Sequence, residues 1–147
     1  MPLEKFQGLS TDTINLLMEV IKKQKEKERY ETRRNTSLIC ALILMLIFFG
    51  MLYLTDFTTV SDPFTTFANI ILNPFYLLMI GLISLSLVYY NFFQKKLKKE
   101  KDKLTKIRSE AIDHLNDTKN LNLQDKTSAI KEMMKKEYDV NLFVKNK

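Results

Sequence analysis

The residues that most enzymes need for catalysis or cofactor binding are scarce in this sequence. Of 147 residues, one is cysteine, one is histidine and three are glycine. The lone Cys40 excludes an intrachain disulfide and lacks the spacing of a metal site. Glycines at positions 8, 50 and 81 are too far apart for a phosphate-binding loop. We therefore expect no metal, no cofactor and no enzyme activity.

Basic residues are absent from the middle of the chain, although the chain has 23 of them. No lysine or arginine lies between positions 34 and 95. This part holds two apolar runs of 20 residues, 36–55 and 74–93, and a helix of that length spans about 30 Å, the thickness of a bilayer core. A charge at the centre of such a run would cost about 3 kcal/mol, and neither run has one. The runs predict transmembrane helices over 37–55 and 74–93.

The first apolar run does not fit a cleavable signal peptide. A long polar segment precedes it, its apolar part exceeds the usual length of about 7–15 residues, and no small-x-small cleavage site follows. Cys40 within this run has two interpretations. It is a small buried apolar side chain, as most free cysteines are, or a site of reversible acylation near the cytoplasmic boundary.

The charges on either side of the two runs predict the orientation. Residues 22–34 contain seven lysines or arginines and residues 95–108 contain eight, whereas the segment between the runs has two aspartates and no basic residue. Basic flanks stay on the cytoplasmic side of a membrane. Both termini are therefore predicted to lie in the cytoplasm, and 56–73 outside the cell.

The outer segment has the features of a short helix. Asp62 can cap a helix and Pro63 suits the first helical position, and Asn73 and Pro74 repeat this pattern before the second run. Ile70 fits the apolar spacing poorly. The spacing otherwise predicts a helix over 63–72 whose apolar face is formed by Phe64, Phe67, Ala68, Ile71 and Leu72. We interpret it as lying on the outer leaflet, and the alternative is an extracellular binding site.

The cytoplasmic flanks, 1–36 and 94–116, also show apolar residues at helical spacing. Ser10 or Thr11 can cap a helix that carries Ile14, Leu17 and Ile21 on one face. The corresponding residues of the second flank are Leu97, Leu104, Ile107, Ala111 and Leu115. At 1.5 Å per residue, Ile21 and Ser109 each lie about 24 Å from the adjacent apolar run. We therefore predict an antiparallel helical stalk that closes a small core.

The last part, 117–147, predicts one more helix and a tail. Residues 116–123, NDTKNLNL, are rich in turn formers, and a helix follows over 124–138. Its apolar face is formed by Ile130, Met133, Met134 and Tyr138, and the tail alternates Val140, Leu142 and Val144. Packed on the stalk, these residues would complete a small lobe. Exposed, the helix face would form a patch for a cytoplasmic protein partner.

Two sets of residues suggest contacts within or at the membrane. Basic residues beside the runs are candidates for contact with an anionic inner leaflet, at about 1 kcal/mol each, unless they only set the topology. These are Lys27, Arg29, Arg33, Arg34, Lys95, Lys96, Lys98 and Lys99. Small and polar residues of the second run, Gly81, Ser84 and Asn91, indicate a helix–helix seam within the hairpin or between copies in a homo-oligomer.

Two further kinds of site are disfavoured. Glu110, His114 and Asp117 share one helical face, but a helix-bundle metal site needs a second Glu-x-x-His helix and the chain has one histidine. We interpret them as surface residues. Aromatic side chains are not interleaved with the basic residues for base stacking, so no nucleic acid partner is expected.

Several segments together resemble a known family. They are ERYETRRN before the first run, the short acidic outer segment, YYNFFQKKLKKEK after the second run, and IKEMMKKEYDVNLF near the end. This order is similar to that of the YpbF family, uncharacterised small two-span membrane proteins of Bacillus-type bacteria. The resemblance implies a bacterial plasma membrane and assigns no activity and no functional residues.

The sequence thus predicts an all-α membrane protein. Its fold is an antiparallel hairpin of two transmembrane helices with cytoplasmic helical stalk extensions and a small C-terminal helix. The favoured function is a non-enzymatic, membrane-anchored adaptor or regulator that acts through its cytoplasmic helices. The alternative is a self-associating, membrane-active protein such as a small pore or a holin-like element.

Overall fold

A computed structural model describes residues 10–54, 62–116 and 121–144, with side chains from 127 onward in the last range. Every regular element in these ranges is helical. The helices follow one another as α1 (Thr11–Leu52), α2 (Pro63–Leu72), α3 (Pro74–Asn116) and α4 (Leu121–Tyr138). They form two compact units. One, the helical lobe, comprises Met1–Arg29 and Lys96–Lys147, and the other, the apolar unit, comprises Tyr30–Lys95.

Helix α1 begins where the sequence predicts. The Ser10 hydroxyl accepts a hydrogen bond from the Thr13 backbone N–H at 3.3 Å, as an N-cap residue does. No proline or glycine interrupts the chain between positions 9 and 49, and the helix continues for 42 residues to Leu52. The predicted continuity of this segment is confirmed.

Both caps predicted for the segment between the two apolar runs are also confirmed. The Asp62 carboxylate accepts hydrogen bonds from the Thr65 backbone N–H at 3.3 Å and from its hydroxyl at 3.0 Å. Pro63 is the first residue of α2. The Asn73 side chain then accepts from the Phe75 N–H at 2.9 Å, so α3 starts directly after α2.

Helix α2 exposes the apolar face that its spacing predicts. Phe64 is 84% exposed and Leu72 is 79% exposed, whereas Thr66 is buried. Ile70, which fits the apolar pattern poorly, is half-buried. Thr66 and Ile70 are four residues apart, which places them on one helical side. The deviation of Ile70 is therefore explained, since it belongs to the packed side of the helix.

The apolar unit pairs α1 and α3 in opposite directions. The rings of Phe48 and Tyr76 meet edge to face with centroids 6.0 Å apart, and the Arg33 guanidinium lies 5.9 Å from the centre of the Phe93 ring. Elsewhere in this unit most apolar side chains are exposed. In the most apolar 18-residue stretch of each helix only 17% of the residues are buried. Both helices are long and apolar enough to cross a membrane.

The helical lobe has a core of its own, built by α1, α3, α4 and the tail. The predicted apolar patches of the two flanks meet in it, with additional residues from the C-terminal segment. The buried members are Leu17, Val20, Ile21, Ala111, Ile112, Leu115, Ile130, Met134, Val140 and Leu142. Leu104, Ile107, Met133 and Tyr138 pack against them in part. The predicted small core is confirmed. Of the two predicted arrangements of α4, packed on the stalk or exposed, the structure shows the packed one.

The predicted start of the last helix was wrong by three residues. Helix α4 begins at Leu121 instead of 124, so residues 121–123 of the predicted break are helical, and 117–120 lie outside the described residues. Turn formers such as Asn122 reduce helix propensity by less than about 1 kcal/mol each, which tertiary packing of the following turns overrides. The predicted end at Tyr138 is confirmed.

A left-handed residue redirects the chain after α4. Asp139 has a φ of 53°, a conformation that aspartate tolerates better than most side chains. The Val140 N–H donates to the Met134 carbonyl at 3.0 Å and closes the turn. Val140 and Leu142 then enter the core, whereas Val144, the third residue of the predicted alternation, is 58% exposed.

Candidate functional site

A groove on the surface of the helical lobe is the strongest candidate for a binding site. It has a volume of about 350 Å³, near the lower end of the range of ligand pockets. Helix α1 supplies most of its lining and the end of α4 supplies one aromatic wall. The lining residues are Met18, Ile21, Lys22, Lys25, Glu26, Arg29 and Tyr138. We call this feature the α1 groove.

Helical spacing places these α1 residues together. Positions 18, 21, 22, 25 and 29 follow one another at intervals of three, one, three and four residues, which is one side of a helix. Ile21 is buried and forms the floor, while Met18 is half-buried beside it. Tyr138 reaches the groove because α4 docks on the same core. The groove therefore exists only when the lobe is folded.

Three cations of the α1 groove have no partner among the described residues. They are Lys22, Lys25 and Arg29, and all three are exposed. The one carboxylate of the groove, Glu26, is bound to Lys23. With three cations against one already neutralised carboxylate, the groove presents a net positive, partly apolar surface.

A second hollow adjoins the α1 groove, and its lining has the opposite net charge. Its volume is about 230 Å³, and it shares Ile21, Lys25 and Tyr138 with the α1 groove. The remaining lining residues are Gln24, Glu28, Lys136, Glu137 and Asp139. Three carboxylates face two ammonium groups here, and the Gln24 amide donates to Glu28 at 2.8 Å. We call this feature the acidic hollow. The positively charged surface of the α1 groove ends where this hollow begins.

An ion network joins α1 and α3 next to the groove. Glu100 is 9% exposed, and its carboxylate accepts from the Lys103 ammonium at 2.7 Å and from the Lys23 ammonium at 3.3 Å. The bond from Lys103 lowers the pKa of Glu100 most, burial opposes it, and Lys23 adds to the lowering. The bond to Glu26 raises the pKa of Lys23, with a further contribution from Glu100. Within this network the Glu26 carboxylate is paired with Lys23.

The only histidine has a structural contact. The His114 Nε2 atom lies 2.9 Å from the Thr13 hydroxyl, which lies 2.7 Å from the Ser10 hydroxyl. Thr13 is buried, so these bonds satisfy a polar group inside the lobe. Glu110 is exposed, and Asp117 lies outside the described residues. Within the part of the chain that the structure describes, no group of three potential ligands could hold a metal ion.

The predicted lipid-contact residues are dispersed over both units. Arg29 lines the α1 groove, and Arg33 stacks on Phe93. Arg34 donates to Gln94 at 3.3 Å and to Asn35 at 2.7 Å. Lys27 is half-buried, and Lys95, Lys96, Lys98 and Lys99 are exposed. The structure thus leaves most of these side chains accessible, and their contact with lipid stays a prediction.

The predicted seam residues do not pack within one copy of the chain. Gly81, Ser84 and Asn91 are exposed, and a Cβ atom at Gly81 would meet nothing within 4 Å. The less exposed residues of this part of α3 instead follow a spacing of three and four: Tyr76, Met79, Ile83, Ser86, Tyr90 and Phe93. The interpretation as an intramolecular seam was wrong. A seam between copies stays a prediction.

Three further side chains differ from their predicted surroundings. Ile130 and Met134 are buried in the core, so the predicted partner patch of Ile130, Met133, Met134 and Tyr138 is not a free surface in this arrangement. Cys40 is exposed in the apolar unit, contrary to the interpretation as a buried side chain. The next residue, Ala41, is buried, and one residue corresponds to a rotation of about 100° around the helix.

Sequence reasoning missed the α1 groove itself. Met18, Lys22 and Lys25 share a helical side, but that pattern is common on solvated helices. What makes them a groove is Tyr138 from the far end of the chain, and no local pattern predicts that approach. One feature of the sequence could have indicated the groove: basic residues outnumber acidic ones at positions 22–29. We interpreted this excess as a topology signal or as a contact with anionic lipid.

Comparison with known proteins places the chain in a family. A family model described as "Protein of unknown function (DUF2663)" matches residues 16–145. No curated protein and no solved structure matches the chain. The match covers the groove residues, α1 from residue 16 onward, and the whole of α3 and α4. The chain therefore belongs to the DUF2663 family.

Proposed function

We propose that this member of the DUF2663 family is an integral membrane protein with two spans and both termini in the cytoplasm. Its long helices leave apolar side chains such as Leu46 and Val88 exposed at 74% and 64%. Water-soluble proteins rarely expose contiguous apolar surface on this scale, whereas lipid would cover it. The distribution of basic residues supports the orientation. The resemblance to the YpbF family supports a bacterial plasma membrane.

We further propose that the helical lobe acts as a non-enzymatic adaptor or regulator. The observation that carries this proposal is the α1 groove, a partly apolar surface on a lobe that has its own core. Its three cations have no partner among the residues that the structure describes. The scarcity of catalytic residue types in the sequence supports a binding role over an enzymatic one.

The basic residues near the spans fit contact with anionic lipid. Exposed lysines next to a membrane gain about 1 kcal/mol each from anionic headgroups. Lys95, Lys98 and Lys99 are exposed and follow the second apolar run directly. This contact would hold the lobe near the inner leaflet without occupying the α1 groove.

Crosslinking in living cells tests the adaptor role. Deleting the C-terminal helix would remove exposed residues together with core residues, so the deletion cannot show whether the folded lobe is what binds. A better variant is Met134→Asp, which places an unpaired charge in the core and unfolds the lobe while keeping both apolar helices. Glu132→Ala, on the exposed side of the same helix, is the matched control.

The adaptor role predicts specific cytoplasmic proteins crosslinked to the native chain and to Glu132→Ala, and lost from Met134→Asp. Capture of other copies of the chain alone would contradict it. That result would favour the second candidate, a self-associating pore or holin-like element. The outward-facing Gly81, Ser84 and Asn91 support that candidate, and it predicts ion leakage from reconstituted vesicles, which the adaptor does not.

A further inference from the structure

The charges of the α1 groove restrict what can bind it. Lys22, Lys25 and Arg29 carry three positive charges with no partner in the described residues, and Glu26 is neutralised by Lys23. Like charges that lie within three or four residues of one another on a helix repel. A ligand that supplies carboxylates would relieve this repulsion, whereas a basic ligand would increase it. The groove therefore favours an acidic partner.

The apolar part of the groove adds a second requirement. Ile21 forms the floor, and Met18 and Tyr138 form its sides. Methionine adapts to different apolar shapes, and tyrosine combines an apolar ring with a hydroxyl. The Tyr138 hydroxyl has no hydrogen-bond partner among the described residues and is available to an acidic ligand. The ligand should thus combine apolar side chains with carboxylates.

The length of the lining favours a helix over a compact ligand. From Met18 to Arg29 the groove follows α1 for three turns, about 16 Å at 1.5 Å per residue. Its apolar contacts lie at the start of this stretch and its cations in the following two turns. A partner helix lying along α1 would insert apolar residues beside Ile21 and place carboxylates opposite Lys25 and Arg29, as amphipathic helices do in grooves.

The acidic hollow limits where such a helix can lie. Its three carboxylates outnumber its two ammonium groups, so it would repel carboxylates placed beside it. An acidic helix is therefore confined to the side of α1 that carries Lys22 and Arg29. The two oppositely charged surfaces thus determine where the partner binds as well as the sign of its charge.

From these observations we infer that the α1 groove binds a short, acidic amphipathic helix of a partner protein. This inference rests on the proposed adaptor function and specifies its partner. Charge complementarity selects a protein segment with apolar residues followed by carboxylates, and Tyr138 and Ile21 provide the apolar contact. The site requires docked α4, so partner binding also stabilises the folded lobe.

Site-specific photocrosslinking in cells tests the inference with the full chain. A photoreactive amino acid replaces Lys22 in the groove or, as controls, Lys101 on α3 or Glu132 on α4. All three positions are exposed, and the two controls lie outside the groove lining. The crosslinked segment is then identified by mass spectrometry. The expected product at position 22 is a protein segment rich in Asp and Glu with apolar residues at helical spacing.

A charge-reversal variant tests the inference quantitatively through the crosslinking yield. Lys25→Glu together with Arg29→Glu should lower the crosslinking yield at position 22 at least about tenfold, because like charges would then face each other. Lys101→Glu is the matched control and should leave the yield unchanged. Resistance of the lobe to protease should be the same in all variants, since the changed side chains are exposed.

The outcomes separate the inference from the proposed function. Crosslinks at position 22 to lipid, to a second copy of the chain, or to a neutral or basic segment would overturn the acidic-helix inference. Partner crosslinks at position 101 or 132 without any at 22 would also overturn it, while the adaptor function would stand. If no position captures a partner protein, both the acidic-helix inference and the adaptor function are contradicted.

Discussion

Lys23 of α1 and Glu100 of α3 are 77 positions apart in the sequence, and their charged atoms lie 3.3 Å apart in the helical lobe. Both side chains are mostly shielded from water, with exposures of 18% and 12%. We predict that Glu100→Gln destabilises the lobe by roughly 1.5–3 kcal/mol, the range for a hydrogen bond to a charged group. Urea unfolding of the full chain in lipid nanodiscs measures this. Lys101→Gln, on the exposed side of α3, should change little.

The same pair predicts how stability depends on pH. Because the folded pKa of Glu100 is lowered, mainly by Lys103, its contribution is present above the ordinary glutamate value and is lost as pH falls through the folded value. The folded pKa of Lys23 is raised, mainly by Glu26, so its contribution is present below the ordinary lysine value and is lost as pH rises through the folded value. Stability should therefore be steady near pH 7 and fall as the pH drops below about 4.5, the ordinary glutamate value, and it should fall less steeply in Glu100→Gln. Equal slopes in the two proteins would contradict the role of Glu100.

Two neighbouring methionines provide a matched test of the docked helix α4. Met134 is completely buried and Met133 is half-buried. Met134→Ala should cost about 2–5 kcal/mol of lobe stability, since it removes buried volume, and Met133→Ala clearly less. Hydrogen exchange of the α4 amides measures both. Similar losses for the two variants would mean that α4 does not dock through this face.

Asp139 tests the turn that returns the tail to the core. At a φ of 53°, glycine suffers no steric penalty, whereas a β-branched residue loses about 1–2 kcal/mol. Asp139→Gly should thus leave the midpoint of thermal unfolding unchanged or raise it, and Asp139→Val should lower it. A tolerated valine would indicate that the tail adopts another path.

The sequence predicted the lobe better than the apolar unit, and α3 shows why. At Leu104, Ile107 and Ala111 apolar residues stand among charged ones, so their spacing identifies the packed face. Between 74 and 93 nearly every residue is apolar, so the spacing of apolar residues does not show which face of the helix is packed. We therefore chose the small residues Gly81 and Ser84 as the seam, whereas the structure packs Tyr76 and Met79.

The helix starts predicted from capping residues were correct because a cap depends only on neighbouring residues. Ser10, Asp62 and Asn73 each satisfy backbone N–H groups two or three residues later, which the sequence alone determines. The α1 groove was beyond prediction because it depends on Tyr138 meeting Ile21 through tertiary packing. Local rules thus give the helices, and the candidate site emerges only from their arrangement.

The orientation in the membrane is the claim on which the other proposals depend. In a Cys40→Ser background, single cysteines would replace Asn69 on α2 or Lys101 on α3, both of which are exposed. Intact cells are then treated with a membrane-impermeant thiol reagent, with and without permeabilisation. We predict that Asn69→Cys reacts in intact cells and that Lys101→Cys reacts only after permeabilisation. Labelling of Lys101→Cys in intact cells, with Asn69→Cys protected, would place the lobe outside and contradict the account.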